Sequence, residues 1–147
     1  MPRLLIVCLT TLFATSAQAR LGENQIQHEQ RYGRAAEDAK ASVTQQPDCI
    51  KTYRFQGWRL VVTFRRTLAE KIEYWKSVPS DQEVAAILSA ESGGGQWRAL
   101  AHGHWINSNG RSVQRDSMRV TAKSAREVAR EQAEEAARKR PKPAPAF

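Results

Sequence analysis

Cysteine and long apolar runs are scarce in this chain of 147 residues. The two cysteines are Cys8 and Cys49, too few for the disulfide framework that stabilises many small secreted domains. The longest largely apolar run, Leu4–Phe13, has ten residues, about half of what a helix needs to cross the bilayer core. These absences exclude a cysteine-rich miniprotein and a membrane protein with several spanning helices.

The N-terminus has the layout of a secretory signal peptide. Arg3 precedes the apolar run, and the small residues that follow the run end in Ala17-Gln18-Ala19, an A-x-A cleavage signal. Arg20, rather than a cysteine, stands at the cleavage point, which argues against a lipid anchor. We expect cleavage between Ala19 and Arg20, export to the periplasm or the extracellular space, and no integral membrane segment afterwards. An uncleaved N-terminal anchor is the alternative.

The chain is basic throughout, with 23 Lys+Arg against 15 Asp+Glu and a net charge of +8. Its composition predicts four segments: a signal peptide (1–19), a single α+β domain (20–121), a charged helix (122–140) and a Pro-rich disordered tail (141–147). Strong basic charge favours acidic partners.

Alternating apolar and polar side chains predict a three-strand antiparallel meander. The alternation is clearest in Trp58–Arg65, and it continues in Lys51–Gln56 and Lys71–Trp75. A period of two places Leu60 and Phe64 on a buried face and most of the intervening residues on a solvated face.

Helices are predicted on either side of the meander. The first runs from Leu21 to Arg31 and is ended by Gly33; the second begins at the capping box Ser80–Glu83. About three strands follow it, with Ser108-Asn109-Gly110 predicting a type I′ hairpin. The expected fold is α+β, with two helices packed on one face of an antiparallel meander sheet in the order αβββ-αβββ, plus a charged C-terminal helix.

Several of these segments resemble a group of small exported bacterial proteins of unknown function. The matching residues are Leu21-Gly22, Arg31–Gly33, Gly57–Phe64, Ile72–Tyr74, Glu83-Val84, Trp97 and Trp105. The order of a helix followed by a meander is more distantly similar to the SmpA/OmlA domain, which has a beta-lactamase-inhibitor-like fold. Neither resemblance brings a catalytic constellation, and the chain lacks the lipid-bearing cysteine of the second group.

Metal binding and nucleophilic catalysis have few candidate residues. His102 and His104 are two residues apart, a spacing that would place both on one face of a strand. Further ligands would have to come from residues at no recognised metal spacing: His28, Cys49, Glu91 and Asp116. We found no G-x-S-x-G motif and no Cys-His signature. The expectation is that the protein is not an enzyme and has no cofactor.

Basic and aromatic residues are the stronger candidates for function. The solvated face of the meander is predicted to carry Arg54, Arg59, Arg65, Arg66, Lys71 and Lys76. Trp75 has the parity of this face, while Trp97 and Trp105 flank the Gly-rich loop and the second hairpin. These tryptophans form either ordinary packing contacts or an aromatic interaction patch. Arg138, Lys139 and Arg140 concentrate charge at the end of the last helix.

These patterns predict an exported, non-enzymatic binding protein of the cell envelope. The expected partner is an acidic protein or an envelope polyanion, and no nucleic acid is expected because export removes the chain from it. One alternative is a small exported metal-binding protein or enzyme that uses His102, His104 or Cys49. Cys49 is otherwise a buried small hydrophobe or a thiol for an intermolecular bridge. Another alternative is an inhibitor of a secreted enzyme.

Overall fold

The computed structural model describes residues 20–36 and 47–140, and within them the chain forms three helices and seven strands. The α+β class predicted from the sequence is therefore confirmed. The helices are α1 (Gln25–Tyr32), α2 (Asp81–Glu91) and α3 (Ala125–Lys139). The strands are β1 (Cys49–Phe55), β2 (Trp58–Arg65), β3 (Leu68–Trp75), β4 (Trp97–Ala101), β5 (His104–Asn107), β6 (Ser112–Arg115) and β7 (Arg119–Lys123). The predicted signal peptide (1–19) and Pro-rich tail (141–147) lie outside the described residues.

All seven strands belong to one antiparallel sheet in the order β1-β2-β3-β7-β6-β5-β4. Strands β1 to β3 form the meander that the alternation predicts. The second half contains four strands instead of about three, because β4 was not predicted. Its side chains from Arg98 to Ala101 are all exposed, so burial imposes no alternation on them. The junction between β3 and β7 joins the two halves of the chain.

The two faces of the sheet differ in burial. On the inner face, Tyr53, Leu60, Tyr74 and Val120 lie in one row across β1, β2, β3 and β7, and each is at most 3% exposed. Phe64 is fully buried on the same face. The outer face carries the residues of opposite parity. The predicted division into a buried and a solvated face is thus confirmed.

Local sequence signals set the helix starts. Asn24 caps α1 and Ser80 caps α2, and each forms a reciprocal capping box with the residue three positions later. At α3 only half of the box forms, because Ser124 Oγ accepts from the Glu127 backbone N–H at 3.1 Å while the Glu127 side chain turns elsewhere. The last helix begins at Ala125, since β7 continues to Lys123.

Charged side chains attach α3 to the sheet. The Glu127 carboxylate is only 2% exposed and accepts hydrogen bonds from Arg65 Nε at 3.2 Å and Arg130 Nη2 at 2.5 Å. These arginines, Arg130 first, hold the pKa of Glu127 below its usual range. The Ser124 backbone N–H donates to the Glu70 carbonyl at 2.8 Å. From residue 132 to 140 every side chain of the helix and its cap is exposed, so only its first two turns are docked.

The β5–β6 turn differs from its prediction. Gly110 has a φ of 80°, whereas Asn109 is not among the residues with positive φ. The Gly110 backbone N–H donates to the Asn107 carbonyl at 3.0 Å. A type I′ turn needs positive φ at both central residues, so the prediction was wrong. The turn is a three-residue loop in which Gly110 alone is left-handed.

A buried carboxylate fixes the first described residues to the core. Glu91, at the end of α2, is 0% exposed. Its Oε2 accepts from the Leu21 backbone N–H at 2.9 Å, and its Oε1 accepts from the Tyr74 hydroxyl at 2.5 Å. Burial raises the pKa of Glu91 to about 7. The chain is therefore anchored directly after the predicted cleavage point. In the described residues, no helix is long and apolar enough to cross a bilayer.

Candidate functional site

A row of arginines and one tryptophan crosses the outer face of the sheet. Pairing of β1, β2, β3 and β7 places Arg54 opposite Arg59, Arg59 opposite Trp75, and Trp75 opposite Arg119. The guanidinium carbons of Arg59 and Arg119 lie 5.0 and 4.8 Å from the Trp75 ring centroid. Both distances are within cation–π range. We call these four residues the arginine row.

The two ends of the arginine row differ in how their charge is balanced. Arg119 is ion-paired with Glu73 at 2.9 Å and with Asp116 at 3.1 Å. Hydrogen bonds from the Met118 backbone N–H and from Arg119 hold the pKa of Asp116 below its usual range. Within the described part of the chain, Arg54 and Arg59 have no ion pair with a carboxylate, and both are exposed. The uncompensated charge of the row therefore lies at its β1–β2 end.

On this face, two pairs of directly opposed residues carry like charges. One is Arg54 with Arg59, and the other is Lys71 with Lys123 on β3 and β7. Lys123 Nζ is 2.6 Å from Glu131 Oε2 of α3, which compensates one lysine of the second pair. Like charges in directly opposed positions destabilise a sheet. An anionic partner would relieve that repulsion.

A shallow polar groove lies beside the row on the same face. It measures about 230 Å³ and is lined by Lys71, Glu73, Gln114, Asp116, Arg119, Thr121 and Lys123. Its floor is formed by outward-facing residues of β3, β6 and β7. Two of its three cations are already ion-paired, Arg119 with Glu73 and Asp116 of the same lining and Lys123 with Glu131, so in the described residues only Lys71 carries an unpaired charge there.

The three tryptophans proposed for an interaction patch do not share one surface. Trp75 is on the outer face, as its parity predicts. Strand pairing places Trp105 opposite Val113 and Trp97 opposite Asn107, which puts both on the inner face. They are partly buried against the core, and Trp97 Nε1 donates to the Leu88 carbonyl of α2 at 2.6 Å. Trp97 and Trp105 therefore make packing contacts, and the aromatic surface is reduced to Trp75.

Three of the predicted basic residues lie at the margins of the outer face. Arg65 ends β2 and contacts α3, and Arg66 lies in the turn after it. Lys76 follows β3, and its ammonium group contacts the Trp58 ring and the Glu83 carboxylate rather than the outer face. Arg138, Lys139 and Arg140 are exposed at the end of α3, with Lys139 Nζ 2.6 Å from Glu135 Oε1.

The histidine and cysteine candidates are not brought together. His102 lies in the β4–β5 turn and His104 on β5, so the expected pair on one strand face does not form. Cys49 is on β1, five strands from β5 in the sheet, which is about 24 Å at the usual strand spacing. Its Sγ accepts from Gln25 Nε2 at 3.3 Å. No group of three or more potential metal ligands is found among the described residues.

Arg119 is a residue of the arginine row that was not predicted from the sequence. Arg119, Thr121 and Lys123 alternate with the buried Val120 and Ala122, so the period of two was present. It is short, and β7 pairs with the distant strand β3, where the hydrogen bond from Arg119 to Glu73 joins residues 46 positions apart. Only the sheet order shows that Arg119 faces Trp75.

No protein-family model, curated protein or solved structure matches the chain. The resemblance to small exported bacterial proteins and to the SmpA/OmlA domain stays a prediction.

Proposed function

We propose that this chain is an exported, non-enzymatic binding protein that holds an acidic protein or an anionic polymer of the cell envelope on the outer face of its sheet. The observation that carries the proposal is the direct opposition of Arg54 and Arg59, both exposed and without a carboxylate partner in the described residues. Two positive charges at directly opposed strand positions, with no carboxylate to compensate them in the described residues, disfavour the free protein. That arrangement favours the state in which an anion lies between them.

The arginine row also has the chemistry of an interface centre. Tryptophan and arginine are enriched where a few residues supply most of the binding free energy. Trp75 is held between Arg59 and Arg119, so its ring loses little conformational freedom when a partner binds. Arg119 is in turn fixed by Glu73 and Asp116. The row therefore offers a preorganised aromatic and cationic surface.

We also propose that each half of the chain is a helix followed by a meander, and that α1 and α2 pack together on the inner face of the sheet. In that arrangement both helices cover the core, and the arginine row stays open to a partner. The basic end of α3, with Arg138, Lys139 and Arg140, would add long-range attraction. Export places the face where polyanions of the envelope are in reach.

The test is binding of fluorescein-labelled poly-L-glutamate, measured by fluorescence anisotropy with the full chain. The variant Arg54→Gln/Arg59→Gln removes two charges from the arginine row. The matched control Arg138→Gln/Arg140→Gln removes two charges from the end of α3. We expect the row variant to weaken binding by about tenfold and the control by about twofold, and both effects to shrink as salt is raised.

Equal losses in the two variants would show that net charge alone attracts the polymer, and would contradict the proposal. Absence of saturable binding to the unaltered chain at low salt would do the same. Circular dichroism of each variant checks that the sheet is intact. Because Arg54 and Arg59 are exposed, their replacement leaves the core unchanged.

A further inference from the structure

A second basic site lies at the other end of the sheet, where the β2–β3 turn meets the start of α3. A cleft of about 380 Å³ opens there. Its lining has four arginines and three carboxylates: Arg65, Arg66, Arg126, Arg130, Asp48, Glu70 and Glu127. One positive charge is in excess. We call this the arginine cleft.

Buried carboxylates position the guanidiniums of the cleft. Glu127 accepts from Arg65 Nε at 3.2 Å and from Arg130 Nε at 3.0 Å. Glu70, 5% exposed, lies 3.7 Å from Arg126 Nε. In the described residues the Arg65 bond to Glu127 uses Nε only, which leaves both of its terminal nitrogens as donors. The carboxylates thus form an ordered base, with guanidinium N–H groups left over to bind a ligand.

Arg66 enters the cleft from a strained turn. The two residues between β2 and β3, Arg66 and Thr67, have φ values of 50° and 71°. Left-handed backbone costs roughly 1–2 kcal/mol for a residue with a side chain, and Thr67 is β-branched as well. The β1–β2 turn of the same meander has the same geometry but uses Gln56-Gly57, a sequence with glycine at the second position. The extra strain of the β2–β3 turn therefore lies at its second position, where Thr67 stands in place of a glycine, next to Arg66.

Hydrogen bonds to the two residues before β1 hold this turn in place. The Arg66 backbone N–H donates to Asp48 Oδ1 at 2.9 Å, and the Thr67 backbone N–H donates to the Pro47 carbonyl at 2.7 Å. Asp48 therefore acts on the backbone of Arg66, and in the described residues the exposed guanidinium of Arg66 makes no ion pair. Strain that is maintained by surrounding bonds at a charged cleft is typical of functional positions.

We propose that the arginine cleft binds the phosphate group of a monoester or diester. Guanidinium forks match phosphate oxygens in pairs, and arginine is favoured over lysine where such paired bonds form. Arg66 and Arg126 supply the charge without a hydrogen-bonded carboxylate of their own, while Arg65 adds its terminal N–H groups. Unlike the arginine row, the cleft is concave and contains no tryptophan, so it suits a small group rather than a polymer face.

The test is a titration of the ¹⁵N-labelled full chain with sodium phosphate at constant ionic strength, followed by the arginine Nε–Hε cross-peaks. The variant Arg66→Gln/Arg126→Gln removes the two guanidiniums without a hydrogen-bonded carboxylate. Arg54→Gln/Arg59→Gln is the control with the same charge change outside the cleft. We expect saturation with a dissociation constant on the order of 1 mM, weakened about tenfold in the cleft variant and less than about twofold in the control.

Sedimentation with phosphatidylglycerol vesicles, against phosphatidylcholine vesicles, distinguishes a lipid headgroup from a free phosphate compound as the source. Binding to the first vesicles that is lost in the cleft variant assigns the phosphate to lipid. Saturable phosphate binding without vesicle binding assigns it to a soluble compound. Cross-peaks that do not saturate, or equal weakening in both variants, would overturn the proposal. Neither result would bear on poly-L-glutamate binding by the arginine row.

Discussion

Replacement of Glu91 by glutamine tests how a buried carboxyl group sets the pH dependence of folding. Burial raises the pKa of Glu91 from 4.5 to about 7, against the opposing effect of the Leu21 and Tyr74 hydrogen bonds. Glutamine has the same shape. Its oxygen can accept from the Leu21 N–H, and its amide can donate to the Tyr74 hydroxyl. Glu91→Gln therefore removes the titration. The Tyr74 hydroxyl, which donates to Glu91 in the unaltered chain, accepts from the amide instead, and this changes stability by the same amount at every pH.

The expected magnitude follows from proton linkage. A pKa of about 7 in the folded chain, against 4.5 in the unfolded chain, is worth at most about 3.5 kcal/mol, because a tenfold change in proton affinity corresponds to about 1.4 kcal/mol. The folded chain holds its proton more tightly. This contribution to the free energy of unfolding is therefore complete below pH 4.5 and is lost as the pH rises through about 7.

His28 contributes with the opposite sign. It is buried, and desolvation lowers its pKa from 6.5 to about 4. Its contribution is complete above pH 6.5 and is lost as the pH falls through about 4. Between pH 4.5 and 6.5 the two contributions nearly cancel, and the unaltered chain should show a flat stability profile there. In Glu91→Gln only the His28 contribution remains, so its stability should rise with pH.

Urea denaturation at a series of pH values measures this difference. The free energy of unfolding of Glu91→Gln, relative to the unaltered chain, should increase by about 2–3 kcal/mol from pH 5 to pH 7.5. The control Glu135→Gln changes an exposed carboxylate of α3 and should give a constant difference. Parallel profiles for Glu91→Gln and the unaltered chain would refute the reasoning, whatever the size of the offset.

Three further changes have defined outcomes. Arg66→Asn/Thr67→Gly supplies the residues that a left-handed two-residue turn prefers. It should raise the free energy of unfolding by about 1–2 kcal/mol and weaken phosphate binding. A loss of stability would contradict the inference that the turn is strained. Phe64→Ala, in the fully buried core, should lower the free energy of unfolding by about 3–5 kcal/mol, as measured by urea denaturation. A loss below about 1 kcal/mol would place Phe64 outside the core. Arg54→Thr removes the repulsion with Arg59 and should stabilise the chain by about 0.5 kcal/mol while weakening poly-L-glutamate binding; unchanged melting and binding would remove the basis for the proposed function.

Features that depend on neighbouring residues could be predicted from the sequence. The alternation around Leu60 and Phe64 and the capping box at Ser80 are local patterns, and the structure contains both. Strand β4 was not predicted, because its side chains are nearly all exposed and show no alternation of apolar and polar residues. The burial of Glu91 and the contact of Arg119 with Trp75 depend on pairings between distant segments. The sequence could indicate a basic face, but the arginine row required the order of the strands.

Each of the two basic sites contains a departure from a rule of local stability. The β1–β2 turn places Gly57 in a left-handed position, whereas the β2–β3 turn places Thr67 there. Arg119 faces Trp75 and pairs with Glu73, whereas Arg54 faces Arg59. Departures of this kind reduce the stability of the free protein, and they persist in natural sequences chiefly where binding compensates for them. One departure is at the exposed pair Arg54 and Arg59, and the other adjoins the exposed Arg66. Both are therefore consistent with the two proposals, an anionic polymer at the arginine row and a phosphate group at the arginine cleft.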